Sequence, residues 1–169
     1  MENIIASNQA KVKKFSFRNT ASFGTRMEFW IIGEMLRQGF DVYRPLVDDM
    51  GIDAVIRRSN GSFAEVQIKA RSDNDPVYPA SFAGIKCDEH RGDYWFIFYA
   101  ARAPETPKVW LMTLNEFRHE AKHRKDGTWD IDFGLTRKWE KSGEREFRML
   151  PEYDKYVCEN YDFSRLKEM

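Results

Sequence analysis

The sequence predicts an α/β or α+β fold in which a mixed β-sheet is flanked by helices. Three observations lead there: an apolar helix-like run from Gly24 to Gln38, two strongly apolar strand-like runs, YWFIFYA and PKVWLMT, and a hairpin-like stretch, GIDAVIRRSNGSFAEVQIKAR, over residues 51–71.

The helix-like run, GTRMEFWIIGEMLRQ, carries Met27, Phe29, Trp30, Ile31, Ile32, Met35 and Leu36, too apolar around its circumference for a surface helix. It predicts a largely buried helix ending at Gly39, a favourable residue just past a helix C-terminus. FDVYRP then alternates as a short strand stopped by Pro45, and a polar loop leads into GIDAVIR. Ser59-Asn60-Gly61-Ser62 predicts a hairpin turn, because Asn-Gly tolerates the positive φ angles of tight turns. FAEVQIKA returns as the next strand. Residues 72–93 contain Pro76 and Pro79 and predict a loop followed by a short helix around Phe82 to Cys87. YWFIFYA and PKVWLMT read as buried strands. Thr113-x-x-Glu116 has the pattern of a capping box opening a helix to about His123, and Asp126-Gly127 turns the chain back. WDIDFGL and REFRML read as strands and FSRLKEM as a short helix. No repeat or linker divides the chain, which predicts one domain over residues 1–169, with a core over about 20–124 and a C-terminal extension, 125–169, of open role.

Bulk composition narrows the class. A chain of 169 residues with 42% hydrophobic residues, including 13 Phe, 7 Tyr and 5 Trp, can bury a core and is unlike a disordered segment. No run approaches the ~18 consecutive apolar residues of a membrane helix. The N-terminus lacks the apolar region of a secretory signal, and two cysteines, Cys87 and Cys158, make no disulfide framework. A soluble protein in a reducing cytoplasm is expected. Twenty-seven basic residues balance 27 acidic ones, which argues against indiscriminate coating of nucleic acid while leaving a local basic face open. Lys11, Lys13, Lys14, Arg18 and Arg26 cluster near the start, and Arg57, Arg58, Lys69 and Arg71 flank the hairpin.

Alternation along a strand places Glu65, Gln67 and Lys69 on one face and Val66 and Ile68 on the other. The hairpin brings Asp53 close to Gln67. Two oxygen donors on adjacent strands suit a hard cation such as Mg²⁺, with Lys69 one pleat further on to orient or deprotonate an attacking water. The same row also fits a wet sheet face on which Asp53 pairs with Lys69 or Arg71.

The ordered set Gly24-x-x-x-Glu28, Gly51-Ile52-Asp53 and Glu65-Val66-Gln67-Ile68-Lys69 resembles the PD-(D/E)xK nuclease superfamily, in particular the branch of Holliday-junction resolvases and related endonuclease-like domains with a Gln-x-Lys motif. The resemblance runs from about Phe23 to Arg71, with the two apolar strands completing a restriction-endonuclease-like core. It implies a DNA endonuclease that hydrolyses phosphodiester bonds with Mg²⁺, or Mn²⁺ in its place. Asp53 becomes the central metal ligand, Gln67 holds the (D/E) position, the Ile68 carbonyl completes the shell, Glu28 supports the ion or its water, and Lys69 is the catalytic lysine. Arg26, Arg57, Arg58 and Arg71 are expected phosphate contacts, and a homodimer is expected from relatives that cut two strands. Gln67 departs from the usual carboxylate, so a catalytically inactive nuclease-like domain that binds nucleic acid or protein is the alternative. Glu65 lies about 7 Å from Gln67 along the strand, within reach of a second ion or an outer water. For Glu28, Thr25-x-x-Glu28 also fits a capping box, unless the helix starts earlier, at Ser22 or Thr20.

A rival motif, His119-Glu120-Ala121-Lys122-His123, matches H-E-x-x-H, which on a helix aims two imidazoles at Zn²⁺ as in metalloproteases. Its neighbours, EFRHEAKHRKDG, are charged nearly throughout. That is the composition of an exposed short helix rather than one beneath a cleft. His90 reads as a solvated turn residue.

Overall fold

The computed structural model describes residues 20–47, 50–72, 80–88, 90–101, 107–138 and 145–168. Lys11, Lys13, Lys14, Arg18, Pro76 and Pro79 lie outside the described residues. Helix α1 (Thr20–Arg37) is followed by β1 (Asp41–Tyr43), β2 (Ala54–Arg57), β3 (Phe63–Arg71), β4 (Ser81–Ile85), β5 (Tyr94–Ala100) and β6 (Lys108–Thr113). Then come α2 (Leu114–Glu120), β7 (Lys122–His123), β8 (Trp129–Asp132), β9 (Gly134–Lys138) and β10 (Arg145–Met149), and three short 3-10 turns close the chain.

Among the described residues the main sheet runs β1-β2-β3-β5-β6. All its pairs are antiparallel except β3 with β5. It is a mixed sheet with few helices, an α+β core. A parallel pair needs a long crossover, and the chain between β3 and β5 uses that length to lay β4 into a second layer with β8 and β7.

Strand β5 explains the layering. All seven of its residues are buried, because its two faces feed two cores. Trp95, Ile97 and Tyr99 pack with α1 and with Val66 and Ile68 of β3, whereas Phe96, Phe98 and Ala100 pack with Phe117, Ile131 and Phe133. The second core is rich in aromatic rings: Phe96 and Phe117 rings lie 4.3 Å apart, and Trp110 stacks on Phe133 at 4.3 Å.

Several expectations need correcting. The helix starts at Thr20 rather than Gly24, which puts Thr25 inside it and removes the capping-box role for Glu28. Phe23, Met27, Ile31 and Met35 form its inward stripe, while Phe29 and Leu36 stay exposed at 55% each. Among the described residues α1 is the one α-helix on this face of the sheet, and it buries one side only. Phe82 to Ile85 is strand, not helix. The three-residue spacing of Phe82 and Ile85 imitates a helical stripe, but it arises from a register shift against β8 at Gly84, which has φ +70°. The predicted capping box of α2 is present at Thr113 and Glu116, but the helix ends at Glu120 with Ala121 extended.

The C-terminal segment is tied to the first core. The Gln38 side chain donates to Tyr161 O at 2.8 Å and accepts from Phe163 N at 3.1 Å, and Phe163 and Leu166 are fully buried. Arg58 donates through Nε to Leu166 O at 2.7 Å and forms an ion pair with Asp93, which also accepts from Trp95 Nε1. No helix of the described residues is long and apolar enough to cross a membrane. Cys87 and Cys158 are not joined in a disulfide, and burial pushes the Cys158 thiol up to about 12.

Because the Arg58 side chain is only 2% exposed, removing it strands Asp93 and a backbone carbonyl. Arg58→Ala is expected to lower unfolding stability by roughly 3 kcal/mol in urea titration, while Arg57→Ala changes it by less than about 0.5 kcal/mol. Equal effects would show that Arg58 has no structural role.

Candidate metal and phosphate site

The site begins where β2 separates from β3. The β2 ladder is paired from Ala54 opposite Val66, and Asp53 sits just before it. Its backbone N donates to Val66 O at 2.9 Å, and its carboxylate Oδ2 accepts from Ile68 N at 2.6 Å. Asp53 thus brackets Gln67, bonding to the residues on either side of it. The carboxylate replaces the strand acceptor that the Ile68 amide would otherwise lack, and a buried amide left unpaired is costly.

Gln67 is 5% exposed, and its carbonyl oxygen Oε1 is buried without any hydrogen-bond partner. Buried polar atoms are nearly always satisfied, so an orphaned carbonyl oxygen marks a place for a donor or a cation. Its amide nitrogen lies against Gly51. A Cβ built on Gly51 would overlap Gln67 Nε2, and Gly51 has φ +72°, so position 51 favours glycine on two independent grounds.

Two residues not singled out from the sequence hold that glycine in place. Tyr94 donates from its hydroxyl to Gly51 O at 2.7 Å, and Arg91 donates to Met50 O at 2.8 Å while its guanidinium lies 4.7 Å over the Tyr94 ring. Burial pushes the Tyr94 phenol well above its ordinary range, against the effect of Arg91 and with that of Asp53. The hydroxyl therefore stays protonated and keeps its role as donor. Arg91 also pairs with Glu65 at 3.3 Å, which occupies the carboxylate that the sequence offered for a second ion. Tyr94 resembles one more core aromatic, and Arg91 stands in a turn 41 residues from Met50, whose carbonyl it holds; neither leaves a local signal.

The four expected chemical residues open onto two neighbouring clefts. Gln67 and Lys69 line one of about 500 Å³, with Gly51 and Arg91. Asp53 and Glu28 line the other, of about 450 Å³, with Arg44. Glu28 accepts from Arg44 at 3.2 Å. Lys69 makes no ion pair among the described residues. Asp53 connects the two clefts through its bonds to β3.

The expected phosphate arginines do not gather here. Arg58 is buried in the ion pair described above, so it is a fold residue and unavailable to a phosphate. Arg71 donates from Nε to Ser81 O at 2.6 Å and fastens β4 to β3. Arg57 is exposed, but it stands at the far end of β2 from Asp53, with Asp41 3.8 Å away. Arg26 is half-buried on α1.

The H-E-x-x-H reading fails on geometry. The helix stops at Glu120, so His119 and His123 do not share a helical face. His123 belongs to β7 and stacks on Trp129 at 4.4 Å, and Glu120 accepts from Lys155 and Tyr156, both at 2.9 Å. Among the described residues, no cluster of three His, Cys, Asp or Glu side chains is arranged for a metal. A cation near Asp53 would therefore depend on the Gln67 amide and on backbone carbonyls.

No protein-family model matches the sequence, and no curated protein matches it. Among solved structures, the chain is similar to a bacterial homing endonuclease, I-Ssp6803I, with a TM-score of 0.55 at 14% identity, over 89% of this chain and 93% of that one. At that identity the likeness is one of fold: this chain has a nuclease-like fold.

Gly51→Ala is expected to cost about 1–2 kcal/mol for the left-handed backbone alone, and to displace the Gln67 amide. Thermal unfolding measures the first effect. A crystal structure of the variant with Gln67 unmoved would refute the second.

Proposed function

We propose that this chain, whose fold is shared with a homing endonuclease, is a divalent-metal-dependent DNA endonuclease of the PD-(D/E)xK kind. The observation that carries the reading is the buried, unpartnered Oε1 of Gln67, held beside a carboxylate that brackets it. Carbonyl and carboxylate oxygens are the donors Mg²⁺ prefers. Asp53 and Gln67 Oε1 would hold the ion, with the Ile68 carbonyl and Glu28 in support, and Mn²⁺ would serve in its place. When bound, the ion supplies positive charge at the phosphate and activates water.

The chain's own residues divide the remaining work. The Ile68 amide fixes one oxygen of Asp53. Gly51, pinned by Tyr94 and Arg91, lies against the Gln67 amide nitrogen and confines that amide beside the buried, unpartnered oxygen. Lys69, without an ion partner among the described residues, presents its ammonium to a water or phosphate oxygen in the cleft. DNA is the proposed substrate, and a homodimer would place two such sites on two strands.

One observation favours a second reading, an inactive nuclease-like binding module. Gln67 is neutral and Glu28 already has Arg44 as a partner, so the site carries less negative charge than a pair of unpaired carboxylates would.

Cleavage of supercoiled plasmid, branched DNA and single-stranded DNA separates the two. The nuclease reading expects cutting with Mg²⁺ or Mn²⁺ that stops in EDTA and falls by at least about 100-fold in Lys69→Ala. Folded protein that cuts none of these substrates with either ion overturns it. In that case cutting by Gln67→Glu would identify missing metal charge as the reason.

A further inference from the structure

The cleft beside Gln67 contains a cation that the proposed chemistry leaves unused. Lys86, in the segment just after β4, lines it together with Lys69 and Arg91. Lys86 is exposed and, like Lys69, makes no ion pair among the described residues. Arg91 is already committed to Glu65 and to Met50 O. Asp88 is the one unpaired carboxylate among the residues lining this cleft, and it accepts from the His90 backbone amide at 3.0 Å. Among the described lining residues, two lysines stand against one carboxylate, a net positive balance.

Its shape suits a nucleic-acid strand. Gly84 and Gly127 line it, and nothing lies within 4 Å of where a side chain would begin at either position. A side chain at either position would begin in open space, while the Gly84 amide donates to the Asp130 carboxylate at 2.9 Å, which is itself paired with Arg124. A volume of about 500 Å³ falls in the range that holds a small ligand, enough for a single nucleotide unit. A lysine ammonium is a point charge suited to phosphate, and neutralising a phosphate releases counterions.

We propose that Lys86 forms a phosphate-binding subsite that holds a non-scissile phosphate of the DNA strand whose scissile phosphate lies at Asp53, Gln67 and Lys69. This rests on the nuclease reading for the scissile position, and it adds a residue that grips the strand rather than one that performs chemistry.

The test measures binding of labelled duplex DNA in EDTA across a range of salt concentrations, for the wild-type chain, Lys86→Ala and Lys86→Arg. Neutralising one phosphate contributes about 0.9 to the slope of log affinity against log salt. Lys86→Ala is expected to flatten the slope by about that amount and to weaken binding at low salt, with Lys86→Arg restoring both. Thermal unfolding should be unchanged, because Lys86 makes no ion pair to lose. A slope identical to wild type in Lys86→Ala overturns the subsite while leaving the nuclease reading intact. A wild-type chain that binds DNA but cuts none overturns the nuclease reading, and the slope still decides the subsite. A wild-type chain that binds no DNA overturns both.

Discussion

The hydrogen bond from the Ile68 amide to the Asp53 carboxylate is the constraint on which the rest of the site depends. β3 is the central strand, with β2 on one side and β5 on the other. Where β2 ends, the β3 amides on that side lose their ladder. A buried amide left without an acceptor is costly, and Asp53 supplies the acceptor from its side chain at 2.6 Å. A requirement of the sheet backbone thereby orients a carboxylate at the end of a strand, beside a polar side chain that alternation turns away from the first core. Structure and proposed chemistry use the same bond.

The second constraint is Gly51. Its carbonyl is held by Tyr94 and its neighbour's by Arg91, so the loop entering β2 cannot relax away from β3. The Gln67 amide is confined beneath it. A residue at the start of β5 and one in the turn before it therefore govern the geometry of Gly51 in the loop before β2 and of Gln67 on β3. Coupling of this kind runs through tertiary contacts between segments about forty positions apart in sequence.

That distance explains which parts of the molecule were legible in the sequence. The Asn60-Gly61 turn, the alternation of β3 and the capping box of α2 are local, and each is where its residues predict. β5 was legible because seven apolar residues in a row have few other places to go. Phe82 and Ile85 misled because a bulge converts the two-residue period of a strand into a three-residue spacing that helices share. His119 and His123 misled because motif spacing presumes a helix that in fact ends between them. The arginines were least legible: Arg57 and Arg58 are adjacent and chemically identical, yet the pleat sends one to solvent and the other into a buried pair with Asp93. Sequence gives the charge of a residue; only its tertiary partner says whether that charge is available.

Gln67 is the point where these constraints meet. It sits at 5% exposure, in a place where an isolated carboxylate would carry a large desolvation penalty unless a cation accompanied it. An amide there incurs the smaller cost of one unsatisfied oxygen, so the fold tolerates the position with no ion present. The nearby carboxylates follow the same logic, since Glu65 is matched by Arg91 and Glu28 by Arg44. The result is a site whose flanking carboxylates, Glu65 and Glu28, are already matched by arginines in the protein alone. Such a site would bind a cation less tightly than a cluster of unpaired carboxylates, but its shape would be held before one arrived. What the neutral amide gives up in attraction it returns as pre-organisation, because Gly51 and β3 have already fixed the direction of its oxygen.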